Sequence, residues 1–282
     1  MATRKYLDID IREHFNSVRD MYATSASKNT VNILLLGDAG SGKTYSLRTA
    51  RGPVLIHSFD PGGSKGLKED VEKGRVIVDS RFEEEDPMNP TAFRAWEEEF
   101  RKLYNSGVFD HVGTYVIDSL TMFSQALMNA VLAANGRAPD DKSVKLFSKD
   151  NALGIPQLRD YQIQMTTVAQ QLGICASLPC DFVLTSHLEY KQDETTGKIL
   201  ALPMVTGKLA QKLPQLFDEI YVMNVKTMSN SNEYRFLTEP DGMLKGRTRM
   251  GSGGKFERFE PADFKKLLKK AGFDTEDKPL FK

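Results

Sequence analysis

The sequence predicts an α/β fold: a mostly parallel sheet with helices on both faces and an antiparallel hairpin toward the C-terminal end. Three observations predict it. Short apolar runs rich in strand formers recur at 31–36 (VNILLL), 53–59 (PVLIHSF), 75–80 (RVIVDS), 112–123 (VGTYVIDSLTMF) and 180–187 (CDFVLTSH); such continuous runs suit strands buried on both faces. Segments with helical periodicity alternate with them. The chain has 282 residues, 40% apolar and 27% charged, enough for one large core.

Each element has its own signal. Residues 1–30 are polar and mixed, with a short helix over 11–22 and a loop at 25–30 (SASKNT). A glycine-rich turn and a short helix, YSLRTARG, follow the first strand, and Gly52-Pro53 ends that helix. DPGGSKG, 60–66, is a turn, and EEEDPMNP, 83–90, an acidic solvated loop. In 91–107, Phe93, Trp96, Phe100, Leu103 and Tyr104 share one face, a core-packing stripe. SQALMNAVLAA, 124–134, is a helix, 135–156 a long polar loop, and about 157–172 a long helix. EYKQDETTGKILALP, 189–203, reads as a hairpin turning at Thr196-Gly197, and 207–217 as a helix running to Pro214. A second hairpin spans 219–226 and 233–239, and a basic amphipathic helix covers 261–272. The expected organisation is an N-terminal segment, 1–30, a core, 31–260, and a C-terminal helix and tail, 261–282.

The chemistry starts in GDAGSGKT. Gly37, Gly42, Lys43 and Thr44 fit G-x-x-x-x-G-K-[ST], between an apolar strand and a helix as that motif requires. Gly37, Gly40 and Gly42 let the backbone turn its N–H groups inward around phosphate oxygens. Lys43 then reaches the β- and γ-phosphates and Thr44 offers a hydroxyl to Mg²⁺. The expected nucleotide contacts are Gly37, Asp38, Ala39, Gly40, Ser41, Gly42, Lys43, Thr44 and Tyr45, with ATP and Mg²⁺ as cofactors. Magnesium needs a partner acid, and TYVID delivers Asp118 at a strand end. Hydrolysis needs a group that orients water; Asp60, at the end of the strand after the loop's helix, is the first candidate, and His187, ending LTSH, is placed to sense the γ-phosphate.

Composition excludes some classes. The formal net charge is zero, so no global basic field advertises nucleic acid or membrane; any such binding needs a local patch. Cys175 and Cys180 form no C-x-x-C pair and read as reduced buried thiols of a cytoplasmic protein. No signal peptide and no membrane-length apolar run is expected.

GDAGSGKT, then LIHSFDPGG, TYVIDSLT, FVLTSH, a hairpin and finally LKGRTR together resemble the RecA-like P-loop NTPase core ATPases, and among them the short phage-encoded RecA/RadA-related proteins of recombination and single-strand annealing. The resemblance covers roughly residues 31–250. It implies the same roles for Lys43, Thr44 and Asp118. It places the water-activating residue, usually glutamate, at Asp60, one methylene shorter. It implies that Lys245 and Arg247, with Arg249 as a second candidate, enter a neighbouring subunit's site. It further implies a homo-oligomer, ring or filament, in the host cytoplasm, with single-stranded DNA and other phage recombination proteins as partners. DNA-binding loops would be 135–155 and 189–203, with Lys142, Lys145, Lys149, Lys191 and Lys198. Phe15 and Tyr22 are candidate anchors on a neighbour. A nucleotide-controlled switch of the same fold, with slow or no hydrolysis, is the alternative, and a small-molecule kinase a weaker one, since no arginine-rich lid follows the TYVID strand.

Overall fold

A computed structural model describes residues 10–26, 29–139, 154–192, 197–229 and 231–281. In chain order the elements are α1 (Ile11–Ala26), β1 (Asn32–Leu36), α2 (Lys43–Ser46), β2 (Val54–Ser58), α3 (Lys68–Glu72), β3 (Val76–Asp79), α4 (Ala92–Asn105), β4 (Thr114–Asp118), α5 (Leu120–Ala134), α6 (Leu158–Cys175), β5 (Asp181–Ser186), β6 (Leu188–Gln192), β7 (Ile199–Pro203), α7 (Leu209–Lys212), β8 (Glu219–Thr227), β9 (Asn232–Leu237), β10 (Pro240–Asp241), β11 (Leu244–Lys245), β12 (Phe259–Pro261) and α8 (Phe264–Ala271). Two compact units result, residues 1–30 and 31–282. The first holds α1, on which Phe15, Val18 and Met21 are exposed.

The second unit is built on an eight-stranded sheet in the order β12-β9-β8-β1-β5-β4-β2-β3. The run from β8 to β3 is parallel, while β9 and β12 add antiparallel strands at one side. Helices cover both faces. On one, Trp96 and Phe100 of α4, Phe123 and Leu127 of α5 and Val168 and Leu172 of α6 pack on Leu34, Tyr115, Ile117 and Phe182. On the other, Leu47 and Leu67 with Phe264, Leu267 and Leu268 of α8 pack on Leu35, Ile56, Val116 and Val183. Alternation along each strand divides its side chains between the two cores.

Several elements differ from the sequence reading. The helix after the glycine loop is a single α-turn continued by a 3-10 turn, Leu47–Thr49, because Gly52-Pro53 follows so soon. The β4 strand stops at Asp118, and Thr121, Met122 and Phe123 lie in α5. Tyr104 is exposed although Trp96 and Phe100 of the same stripe are buried; it lies in the last turn, past the edge of the core. Pro214 continues the helical stretch in a 3-10 turn, Leu213–Leu216. A short strand, β12, precedes α8, which therefore starts at Phe264. The acidic loop has structural partners: Glu85 Oε2 accepts the Ala92 N–H at the start of α4, and Glu83 Oε2 accepts the Gly62 N–H at 2.9 Å. Thr196 of the expected turn, with Lys142, Lys145 and Lys149, lies outside the described residues.

One buried chain of hydrogen bonds carries a pH dependence. Trp96 Nε1 donates to the Tyr115 hydroxyl at 3.1 Å, and that hydroxyl lies 2.9 Å from His57 Nδ1. His57 Nε2, the other ring nitrogen, is buried with no hydrogen-bond partner among the described residues, so nothing there supports a charged ring. Burial pushes the His57 pKa down to about 4, against the nearby Asp79 carboxylate, which favours the charged ring. A histidine depressed on folding contributes stability that is present above its unfolded pKa, near 6.5, and lost as pH falls toward 4. The expected loss over that window is about 3 kcal/mol. Urea melts of His57→Leu should show a correspondingly shallower fall in stability between these pH values; an unchanged slope would reject the assignment.

Candidate functional site: a glycine loop at the ends of four strands

Parallel pairing brings the carboxyl ends of four strands to one edge. Leu36 of β1 is level with Ser186 of β5, and Ser58 of β2 with Asp118 of β4. Gly37, His187 and Ser119 come directly after three of these ends, and Asp60 two residues after the fourth. Ligands of open α/β sheets bind at such an edge.

The glycine loop leaves β1 and curls back at Gly40 (φ 73°) and Gly42 (φ 91°), values that side chains other than glycine's rarely adopt. A Cβ on Gly37 would come within 2.6 Å of Ser41 Oγ, and one on Gly42 within 2.8 Å of the Tyr234 ring. Ser41 Oγ is buried with no hydrogen-bond partner among the described residues. Asp38, Ala39 and Gly40 are exposed, while the Lys43 side chain is buried and donates to the carbonyls of Gly37 at 2.8 Å and Asp38 at 3.0 Å. Burial pushes the Lys43 pKa down, opposed by Asp118, Asp60 and Asp38. This donor-rich concavity with an orphaned hydroxyl fits the phosphates of a nucleotide. Tyr45 is exposed at its mouth, under the Arg48 guanidinium 4.9 Å from its ring centre.

The acids stand beside it. Thr44 Oγ1 donates to Asp118 Oδ2 at 2.7 Å, and Thr185 Oγ1 donates to the other oxygen. Burial raises the Asp118 pKa, the hydrogen bonds from Thr185 and Thr44 oppose that rise, and Asp60 adds to it. A buried carboxylate beside a hydroxyl is the donor set a magnesium ion takes. Thr44 and Asp118 would hold the ion.

Asp60 lies two residues beyond β2, not at its end, on a turn closed by the Gly63 N–H on the Asp60 carbonyl. Ser119 Oγ donates to Asp60 Oδ1 at 2.6 Å, and His187 Nε2 lies 3.3 Å from Asp60 Oδ2. The fold thus gathers Lys43, Thr44, Asp118, Asp60 and His187 as the sequence led one to expect. Ser119, Thr185 and Glu83 were not foreseen. Ser119 had a signal, following the strand-end acid directly. Thr185 had a weaker one, two residues before His187. Glu83 had none, being one acid in an acidic run.

Lys245 and Arg247 do not both project from the surface. The Lys245 side chain is exposed, whereas Arg247 is turned inward and donates from Nη2 to the carbonyls of Pro214 and Phe217 at 2.8 and 2.6 Å. The reason is local: the backbone of Arg247 pairs with Ile220, next to the exit of the 3-10 turn, whose terminal carbonyls need donors. Arg249 is exposed and ion-paired with Asp218 at 3.1 Å.

Sheet order, phosphate loop and strand-end acids define a P-loop ATPase domain with a RecA-like core. The chain belongs to the AAA domain family, whose profile matches residues 29–250. It is similar to the solved structure of a KaiC-like protein of Pyrococcus horikoshii OT3, at 10% identity and TM-score 0.32 over 77% of this chain and 81% of that one. It is likewise similar to the flagellar accessory protein FlaH of Methanocaldococcus jannaschii, at 10% identity and TM-score 0.38 over 81% and 83%. No curated protein matches the chain. Among the described residues no helix is long and apolar enough to cross a membrane.

Proposed function

We propose that this protein binds ATP with Mg²⁺ and hydrolyses it, and the observation that carries the reading is the pinned carboxylate of Asp60 beside the Thr44–Asp118 pair. Bound Mg-ATP supplies the γ-phosphoryl group and a cation that neutralises its charge. Lys43, released from the two loop carbonyls, presents its ammonium to phosphate oxygens, as does the Ser41 hydroxyl. Ser119 and His187 fix the Asp60 carboxylate, leaving its free lone pairs to orient a water and accept its proton. His187 donates to Asp60 and so follows any movement at the phosphate end of the site.

The finer reading is that hydrolysis serves single-stranded DNA in phage recombination or annealing, within a homo-oligomeric ring or filament. Its support is the motif order in the sequence. The β6–β7 hairpin adds to it, carrying the exposed Tyr190 and Lys191, with the Tyr190 hydroxyl 3.4 Å from Asp38 of the phosphate loop. An exposed aromatic with adjacent lysines suits base stacking and phosphate contact. Against it stands the nucleotide switch, favoured by the engagement of Arg247 within its own chain. Measured ATP turnover with and without single-stranded DNA separates the two. Stimulation of roughly tenfold or more is expected for the first; turnover indifferent to DNA leaves the switch.

A further inference from the structure

The segment around Arg247 borders a cavity of about 880 Å³ that is not part of the phosphate site. The β7 strand, α7, the start of β8 and the loop 245–254 enclose it, with Leu36, Leu202 and Ile220 among its apolar walls. Such a volume is in the range of small-molecule sites. Its charged lining is unbalanced: Lys245 and Arg247 stand against one carboxylate, Glu239. Arg247 spends Nη2 on the carbonyls of Pro214 and Phe217, but its Nε–H is buried and has no acceptor among the described residues. That donor is closed off from a water-sized occupant, so what Arg247 offers the cavity is its charge. The loop on one side contains Gly253 and Gly254, both at φ 80° and exposed, so its backbone bears on the cavity without side chains.

We infer that this cavity binds an amphipathic anion, a carboxylate or phosphate on an apolar body, with the head on Arg247 and Lys245 and the body against the Leu36–Ile220 wall. Two independent features converge on that chemistry. The apolar lining favours a hydrocarbon body, and two cations set against one carboxylate select a negative head over a neutral one. Leu36 is also the residue immediately before Gly37, so the occupant rests on the strand that carries the phosphate loop. The inference does not depend on hydrolysis, since it concerns a separate cavity.

The test is calorimetric titration of the full chain with octanoate and, in parallel, octanol, which has the same chain length and no charge. Octanoate is expected to bind one to one and about tenfold more tightly than octanol. Gln211 lines the cavity and is exposed, so Gln211→Trp fills space without disturbing the core and should weaken both probes about tenfold or more. Lys245→Gln, also at an exposed side chain, should weaken octanoate roughly threefold and leave octanol unchanged. Arg247→Met should abolish the preference; if it fails to fold, Lys245→Gln decides. Equal affinity for the two probes, or affinities indifferent to Gln211→Trp, would overturn the proposal. So would octanoate binding that disappears as protein concentration rises, since the cavity would then be a contact between copies of the chain.

Discussion

Lys43→Ala is expected to reduce ATP turnover at least about 10³-fold, the effect of removing a cation aimed at transferring phosphoryl oxygens. The fold should survive. Lys43 touches no core side chain through its charge; its ammonium bonds two loop carbonyls, Gly37 and Asp38, and the latter residue is exposed to water. Burial already disfavours the charged form of this lysine, so its loss relieves a cost of folding. The melting temperature without nucleotide is therefore expected to be unchanged or slightly raised, while the rise produced by Mg-ATP in the native protein disappears. Thermal melts with and without Mg-ATP, beside a turnover assay, read both. Wild-type turnover in the variant would remove the glycine loop from the chemistry.

Asp60→Asn should lower turnover by about 10²- to 10³-fold and leave ATP affinity within a few-fold of native. Asparagine keeps the length of the side chain and an oxygen for the Ser119 hydroxyl, so the turn from Asp60 to Gly63 should hold its shape. What is lost is the capacity to take a proton. Asp118→Asn makes the contrast: it changes an acid held by Thr44 and Thr185, and its expected mark is a weakened dependence on magnesium. Ser119→Ala should fall between native and Asp60→Asn, because Asp60 keeps its charge but loses one of its two anchors. If Asp60→Asn turns over ATP at the native rate, another group orients the water, and His187 is the neighbour to change next.

The phosphate loop was legible because its function constrains the backbone. Gly40 and Gly42 must occupy left-handed φ values, and a lysine and a hydroxyl must follow at fixed spacing, so chemistry is written into consecutive residues. The polar residues at the strand ends were legible because buried parallel strands are continuous apolar runs that give way to polar residues, as at Asp118 and just before His187. Residues acting across long sequence separations were not. Ser119 meets Asp60 at a separation of 59 residues and Thr185 meets Asp118 at 67, and nothing local in either stretch announces the partner. Arg247 shows the converse. Spacing on an extended segment suggested that it and Lys245 project together, but demand from the carbonyls of Pro214 and Phe217, on a different element, turned it inward.

The same separations bear on how the protein is made. The strand that presents the phosphate loop is synthesised well before its supports: the Val31 N–H is accepted by Asp181, 150 residues on, the Asn32 N–H by Asp218, 186 residues on, and the Gly52 N–H, at the far end of the loop's helix, by Asp277, 225 residues on. A chain emerging from the ribosome therefore exposes its GKT motif long before β5 and β8 can flank β1. The strands that flank the loop's own strand, β5 and β8, join it only after more than a hundred further residues have emerged. A polypeptide cut short before Asp277 would carry the complete motif without the tail contact that secures the end of its helix.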